Sequence, residues 1–316
     1  MTAVQRIGPE RIGLGLAALA RPAYITSGRA ADLGTTRTVD DLRERTHTVL
    51  DAAYAAGVRY LDAARSYGRA EEFLAGWLAA HPEIDDVVIG SKWGYRYVGE
   101  WRLDADVHEV KEHSVAAFTE QRAATAATLG DRLDIYYVHS VTPDSAALAD
   151  PDLHRALADL RGRGVRVGAS TSGPHQADVV RRALDVAVDG EPLFTAFQST
   201  WNLLEPSAGP ALAEAAATGA RVVVKEAVAN GRLAPGGDAA GLAARHDLPI
   251  DQLAIAAALA QPWAWRVLSG AVTADQVRSN TAAARASLSD DAVDDLLACA
   301  ETPNAYWTAR AHRTWA

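Results

Sequence analysis

The chain is nearly devoid of cysteine, since Cys299 is the only one among 316 residues. A single thiol excludes an internal disulfide, which fits a reducing compartment, and we expect the protein to be cytoplasmic. Metal sites built from thiolates need several cysteines, and the nine histidines show no ligand spacing. We therefore expect no metal site.

Long apolar runs and basic clusters are also lacking. No apolar stretch approaches the ~18 residues of a membrane-spanning helix, and the first residues lack the pattern of a secretory signal. The net charge is -9 without any run of Lys and Arg, which argues against a nucleic-acid partner. We expect no membrane partner either. The 49% hydrophobic share is sufficient for one large domain over residues 1–316.

What the chain does have is a regular alternation of short apolar runs and helix-like segments. Eight such pairs predict an α/β fold, the (β/α)8 TIM barrel. An open doubly wound sheet is the competing fold, but the segment after Gly13 and Gly15 leads into a loop rather than a helix. The predicted strands are 12–16, 58–62, 87–92, 135–139, 165–170, 195–200, 222–226 and 267–270. The predicted helices are 39–56, 70–80, 115–129, 151–163, 176–186, 209–217, 250–259 and 274–284.

Ionisable residues end three of the predicted strands. Asp62, Lys92 and His139 occupy these ends, and Tyr67 follows Asp62 by five residues. Such residues are costly in a buried strand unless they are paired or used, and barrel strands place their carboxyl ends on one face.

The four side chains together predict a proton relay. Tyrosine alone is a poor proton donor at neutral pH, because its ordinary pKa is about 10. A Lys92 ammonium would lower that pKa, Asp62 would hold Lys92, and His139 would orient a substrate oxygen. The set suits reduction of a carbonyl by hydride from a nicotinamide.

These residues lie in motifs that resemble the aldo-keto reductase family. Residues 62–68, DAARSYG, resemble its signature, SK at 91–92 is similar to its third-strand lysine motif, and YYVH at 136–139 is similar to its fourth-strand histidine motif. The resemblance implies a barrel reductase in which Tyr67 donates the proton and the other three residues assist.

The resemblance extends to segments that bind the cofactor in this family: VGAS at 167–170, FQSTWNL at 197–203, VANGRL at 228–233 and SGA at 269–271. It implies residues that contact the carboxamide of the nicotinamide, an aromatic residue that stacks on the nicotinamide ring, a contact to the pyrophosphate and a site for the adenosine. The residues implied are Ser170 and Gln198 for the carboxamide, Trp201 for stacking, Gly231 near the pyrophosphate, and Gly270, Gln276 and Asn280 at the adenosine end. Lys225 is assigned a cofactor or structural role and Arg278 a 2′-phosphate contact, so NADPH is the expected cofactor and NADH the alternative.

Aromatic residues that closely follow Lys92 predict a substrate pocket. Trp93, Tyr95 and Trp101 are expected to line it, with packing of the loop as the alternative reading. The long connections 17–38 and 95–113 are typical of lids or binding loops.

The leading hypothesis is an NADP-dependent oxidoreductase that acts on a small-molecule carbonyl or alcohol. Two alternatives remain open. One is a barrel aldolase or lyase with Lys225 or Lys92 as a Schiff-base amine. The other is a cofactor-binding regulatory barrel with little turnover.

Overall fold

The computed structural model describes residues 8–25, 32–34 and 36–315, and twelve β-strands and ten α-helices lie wholly within this part of the chain. The strands are β1 (Ile12–Gly15), β2 (Tyr60–Asp62), β3 (Val88–Trp93), β4 (Tyr95–Tyr97), β5 (Glu109–Lys111), β6 (Ile135–Val141), β7 (Arg166–Thr171), β8 (Ala187–Val188), β9 (Glu191–Pro192), β10 (Ala196–Thr200), β11 (Arg221–Lys225) and β12 (Arg266–Ser269). The helices are α1 (Val39–Ala55), α2 (Ala70–Ala80), α3 (Val115–Leu129), α4 (Pro151–Arg161), α5 (Gln176–Leu184), α6 (Gly209–Ala217), α7 (Ile250–Leu259), α8 (Ala274–Ala282), α9 (Asp290–Leu297) and α10 (Pro303–Ala311).

Eight parallel strands close into a barrel in the order β1-β12-β11-β10-β7-β6-β3-β2. The predicted (β/α)8 fold is therefore confirmed. The register sets Asp62 opposite Gly90 and Lys92 opposite Tyr137. Neighbouring strands thus end together, and their last side chains lie at one mouth of the barrel.

Local signals fix most helix ends. Thr38 and Asp41 form a reciprocal capping box that begins α1, and Gly57 follows that helix with φ +95°. The predicted helices 151–163, 176–186 and 274–284 each end two residues earlier in the structure. The first of these helices, α4, ends at Arg161. Gly162 and Gly164 follow it, and Gly164 adopts φ +82°, which a helix cannot accommodate.

Two hairpins and two helices were not predicted. The connection 95–113 contains the antiparallel pair β4–β5, and a second pair, β8–β9, follows α5. Helices α9 and α10 extend the chain beyond the barrel repeat, and Tyr306 and Trp307 of α10 are buried. Of the predicted loop 17–38, residues 26–31 and 35 lie outside the described residues.

The described residues contain neither a candidate membrane span nor a candidate metal site. None of their helices is both long and apolar enough to cross a membrane. Within the same ranges, no three His, Cys, Asp or Glu side chains form a group that could hold a metal ion.

Candidate active site

A buried ion pair joins the ends of β2 and β3. Lys92 Nζ donates to Asp62 Oδ2 at 2.5 Å and to the carbonyl oxygen of Ala63 at 2.8 Å. The other carboxylate oxygen, Oδ1, accepts from Gln198 Nε2 at 2.7 Å. Lys92 is fully buried and Asp62 nearly so. Removing a charge from water is costly. Here the attraction between the two charges and the additional hydrogen bonds offset the desolvation of each group.

Tyr67 and His139 lie next to this pair. Tyr67 belongs to the turn before α2, and its hydroxyl oxygen lies 3.4 Å from His139 Nε2. The other ring nitrogen, Nδ1, lies 3.5 Å from the hydroxyl of Ser66. Lys92 Nζ lies over the face of the Tyr67 ring, 4.6 Å from its centre. The structure therefore brings together the four residues predicted from the strand ends.

Burial controls the proton affinity of this set. Burial raises the pKa of Tyr67 well above its ordinary value, Asp62 raises it further, and Arg21 opposes them. Burial also lowers the pKa of His139 well below its usual range, and the Lys92 charge acts in the same direction. The expected lowering of the Tyr67 pKa was wrong, because the phenol is buried and the Lys92 charge is paired with Asp62. Tyr67 and His139 are both neutral at pH 7.

The site opens into a cavity of about 300 Å³. Asp62, Tyr67, His139 and Gln198 line it, and so does Tyr95, one of the three expected pocket aromatics. Other side chains that line the cavity were not predicted to do so, among them Arg21, Tyr24, Glu109, Glu226, Arg310 and Trp315.

An ion pair that the sequence did not reveal lies near the phenol. Arg21 NH1 donates to Glu109 Oε1 at 2.8 Å, and both side chains are largely buried. The guanidinium stacks on three rings, with its carbon 4.6 Å from the centre of Tyr24, 5.0 Å from Tyr67 and 4.8 Å from Trp315. Both partners come from irregular or hairpin segments, so no strand-end pattern could have identified them.

A second charged cluster lies at the end of β11. Lys225 Nζ donates to Thr200 Oγ1 at 2.8 Å and lies 3.7 Å from Glu226 Oε1. Arg310 of α10 donates to the Glu226 carboxylate, with NH2 2.6 Å from Oε1. Burial lowers the pKa of Lys225 to about 8. Burial alone would raise the pKa of Glu226, but Arg310 and Lys225 hold it at about 2.

The carboxamide residues predicted from the cofactor motifs lie side by side. Ser170 of β7 is the register partner of Gln198 of β10. The Ser170 hydroxyl is buried, and within the described chain it has no hydrogen-bond partner. A buried hydroxyl without a partner next to a primary amide provides the donor and acceptor set that a carboxamide needs. Gln198 and Gly270, the latter predicted at the adenosine end, line the cavity, whereas Ser170 is not among the lining residues. The donor set therefore fits a nicotinamide nucleotide.

The predicted adenosine residues are held by protein partners. Gln276 Nε2 donates to Asp32 Oδ2 at 2.8 Å, and Asn280 Nδ2 donates to Ser269 Oγ at 2.7 Å. Arg278 is exposed and pairs with Asp275 on the same helix. Gln276, Arg278 and Asn280 are not among the residues that line the cavity, whereas Ser269 is.

Several predicted aromatic contacts lie elsewhere. Trp201 is buried, and its indole centre lies 6.0 Å from that of Trp263, outside the cavity lining. Trp93 packs on Phe118 behind β3, and Trp101 donates its indole N–H to the carbonyl oxygen of Arg37 at 3.0 Å. Gly231 is buried in the turn after β11 and is likewise absent from the lining. Of the three predicted pocket aromatics, Tyr95 alone lines the cavity.

The proteins to which the chain is similar include two curated relatives and one solved structure. Norsolorinic acid reductase B of Aspergillus parasiticus is 28% identical over 165 residues, which cover 51% of this chain and 42% of that protein. D-threo-aldose 1-dehydrogenase of a Pseudomonas species is 33% identical over 201 residues, which cover 58% and 60%. Both alignments span less than two thirds of the relative's own length. The holo form of an aldo-keto reductase from Bacillus halodurans is 22% identical, covers 94% of this chain and 96% of that chain, and superposes with a TM-score of 0.69.

The structural likeness to the Bacillus halodurans protein concerns the fold alone, because the identity is low. The sequence model of the aldo/keto reductase family matches residues 11–301, which is nearly the whole chain. The chain therefore belongs to the aldo/keto reductase family.

Proposed function

We propose that the protein is a nicotinamide-dependent reductase of aldehydes or ketones in which Tyr67 donates the proton. The observation that carries the proposal is the Tyr67 hydroxyl 3.4 Å from His139 Nε2 in a cavity that Asp62, the ion-pair partner of Lys92, also lines. Membership of the aldo/keto reductase family supports chemistry between carbonyls and alcohols.

The residues act on the substrate oxygen. Neutral His139 with its proton on Nε2 donates a hydrogen bond to that oxygen, while Nδ1 accepts from the Ser66 hydroxyl. Tyr67 transfers its phenolic proton to the oxygen as negative charge develops there. Lys92 over the ring and Arg21 beside it stabilise the resulting phenolate. A bound reduced nicotinamide would supply the hydride that reaches the carbonyl carbon.

Ser170 and Gln198 are the residues that would hold the nicotinamide. The carboxamide would pair with the Gln198 side chain and with the Ser170 hydroxyl, which has no hydrogen-bond partner among the residues that the structure describes. Gln198 also fixes Asp62, so it would couple the cofactor site to the ion pair at the floor. Gly270 would lie beside the nucleotide at the end of β12.

NADPH is the proposed cofactor, and Arg278 is the proposed 2′-phosphate contact. Its exposed guanidinium needs only to exchange its Asp275 partner for a phosphate. NADH is the alternative, and Asp32 beside Gln276 favours it, because a carboxylate accepts hydrogen bonds from a ribose 2′-hydroxyl.

A substrate panel tests the proposal. NADPH and NADH oxidation is followed with aliphatic, aromatic and sugar aldehydes and with ketones, because the two curated relatives are named for a reductase and an aldose dehydrogenase. We expect turnover with at least one carbonyl class and a higher kcat/KM with NADPH. Tight nucleotide binding without any turnover would instead support the regulatory barrel.

A Schiff-base lyase remains the second candidate because of Lys225. Burial lowers the pKa of this amine to about 8, and the side chain lines the cavity. Borohydride treatment in the presence of a carbonyl substrate would leave a stable adduct on Lys225 if this function holds. We expect no adduct, because Lys225 donates to Thr200 and faces Glu226.

A further inference from the structure

A histidine outside the four predicted residues is bonded directly to the backbone of His139. His113 follows the β4–β5 hairpin, and its Nε2 lies 2.8 Å from the His139 carbonyl oxygen. Its Nδ1 lies 2.6 Å from Ser145 Oγ. The imidazole is buried.

The partners fix the tautomer of this histidine. A carbonyl oxygen only accepts, so His113 Nε2 carries the proton and donates it to His139. Nδ1 is then the acceptor for the Ser145 hydroxyl proton, and Ser145 Oγ in turn accepts from the Ala147 N–H at 3.3 Å. Burial lowers the pKa of His113 to about 4, so the ring keeps this neutral form at working pH. Both ring nitrogens of the neutral ring are thus satisfied.

The bonded carbonyl lies where the strand is irregular. The β6–β7 register shifts between Val138 and Val141, and Ser140, directly after His139, has φ +54°. A non-glycine residue in the left-handed region is strained and persists only where its surroundings hold it. The hydrogen bond from His113 is one such support at the His139–Ser140 peptide.

His113 also contacts the strand that carries Lys92. Gly94 has φ +106°, and a Cβ built there would lie 2.5 Å from His113 Cδ2. The ring centre of Trp93 lies 5.9 Å from that of His113. The imidazole therefore fills a slot against the end of β3 while it bonds to the end of β6, and it joins the two strands that supply Lys92 and His139.

We propose that His113 is a positioning residue that holds the His139 backbone so that Nε2 faces the Tyr67 hydroxyl. The inference rests on the proposed carbonyl reduction for its kinetic readout. Because His139 touches both Tyr67 and the ring of Tyr95, whose centre lies 5.1 Å away, a displaced backbone would misalign the group that orients the substrate oxygen.

Two substitutions at one position separate the hydrogen bond from packing. His113→Phe keeps a ring but removes both nitrogens, and we expect kcat to fall on the order of 10²-fold, the usual result of a small misplacement, without a matching change in nucleotide Kd. His113→Gln keeps a donor near the Nε2 position and should recover most of the activity. Equal losses in the two variants would overturn the proposal.

A control variant and a double-mutant cycle test whether the loss of kcat in His113→Phe arises through His139. His47 of α1 makes the same kind of bond, with Nε2 2.9 Å from the Phe73 carbonyl oxygen, at a distance from the site. His47→Phe should lower the free energy of unfolding but leave kcat unchanged. His113→Phe should add little to the loss caused by His139→Gln, because it acts through His139. Fully additive losses would contradict the proposal.

A spectroscopic readout separates this inference from the proposed function. In ring-labelled protein, His113→Phe should shift the His139 nitrogen resonances, which are assigned by their disappearance in His139→Gln, and His113→Gln should shift them less. Unchanged resonances in folded His113→Phe would overturn the positioning role whatever the activity. Failure of the wild type to reduce any carbonyl would instead reject the proposed function.

A second variant serves if His113→Phe does not fold. Ser145→Ala removes only the partner of His113 Nδ1, and it should shift the His139 nitrogen resonances by a smaller amount. No shift in this variant would overturn the proposal.

Discussion

Lys92 Nζ lies over the ring face of Tyr67, 4.6 Å from its centre, while its hydrogen bonds go to Asp62 and to the Ala63 carbonyl. The ammonium thus stabilises the ring electrostatically without donating to the phenol oxygen. Because its charge is compensated at 2.5 Å, burial dominates and the pKa of Tyr67 is raised.

Tyr67→Phe should abolish most of the carbonyl reduction. Loss of the proton donor is expected to lower kcat by ~10²–10⁴-fold, while nucleotide binding is retained, because the ring and its packing remain. Steady-state kinetics and fluorescence titration measure the two quantities. Tyr95→Phe is the matched control, since it removes another cavity phenol, and should cost far less. Equal effects would contradict the assignment.

The pH dependence should differ between the two reaction directions. Because the pKa of Tyr67 is raised, the phenol stays protonated at neutral pH and reduction should be insensitive to pH there. Oxidation of the alcohol needs the phenolate, whose fraction grows as the pH rises, so its rate should increase with pH. Rate profiles in both directions measure this, and an oxidation rate that is flat from neutral to alkaline pH would disprove it.

Two variants should move the oxidation profile in opposite directions. Arg21 lowers the pKa of Tyr67 and Glu109 raises it. Arg21→Met should therefore shift the rise in oxidation to higher pH, and Glu109→Gln should shift it to lower pH. The comparison of the two profiles is the measurement. Shifts of the same sign would show that the variants act through structure rather than charge.

Breaking the buried ion pair should destabilise the fold. Lys92→Met leaves the Asp62 carboxylate buried without its cation, and we expect a loss of about 3–5 kcal/mol in the free energy of unfolding. The double variant Lys92→Met with Asp62→Asn should lose less, because no unpaired charge remains. Urea unfolding at pH 7 measures both. A double variant less stable than the single one would refute this account.

Glu226 should contribute to stability against acid. Its pKa is about 2 in the folded protein against an ordinary value of 4.5, so its contribution is present above pH 4.5 and is lost as the pH falls towards 2. The shift corresponds to about 3 kcal/mol. Glu226→Gln should lose that stability at pH 7 and flatten the acid limb between pH 4.5 and 2. The exposed Glu191→Gln is the control, and identical acid limbs in wild type and Glu226→Gln would contradict the prediction.

The sequence predicted Asp62, Lys92 and His139 because each broke a local rule, in that an ionisable group ended an apolar run. It predicted Tyr67 because this residue follows Asp62 by five positions. It did not predict Arg21, Glu109 or Arg310, because each becomes significant only through a partner distant in sequence. Arg21 meets Glu109 across 88 positions, and Arg310 meets Glu226 across 84. No local pattern records such a pairing.

The aromatic residues show the same limit. Trp93 and Tyr95 are two positions apart and equally attractive as pocket residues, yet Trp93 lies at 0% exposure against Phe118 while Tyr95 lines the cavity. Pleating alone would place residues 93 and 95 on the same face of a strand, but the turn at Gly94, with φ +106°, sends the two rings to different sides.

The sequence by itself determined the barrel, its eight strands and the position of Asp62, Tyr67, Lys92 and His139 along the chain, because hydrophobic periodicity and the polarity of residues at or just after strand ends are local properties. Only the tertiary structure decided the direction of the Tyr67 pKa shift and the contacts that hold His139 in place. The pKa of Tyr67 is raised because burial outweighs a lysine that is already paired, and His139 is held by His113 from another segment. Burial and pairing depend on which distant segments meet, and that is fixed only when the barrel closes.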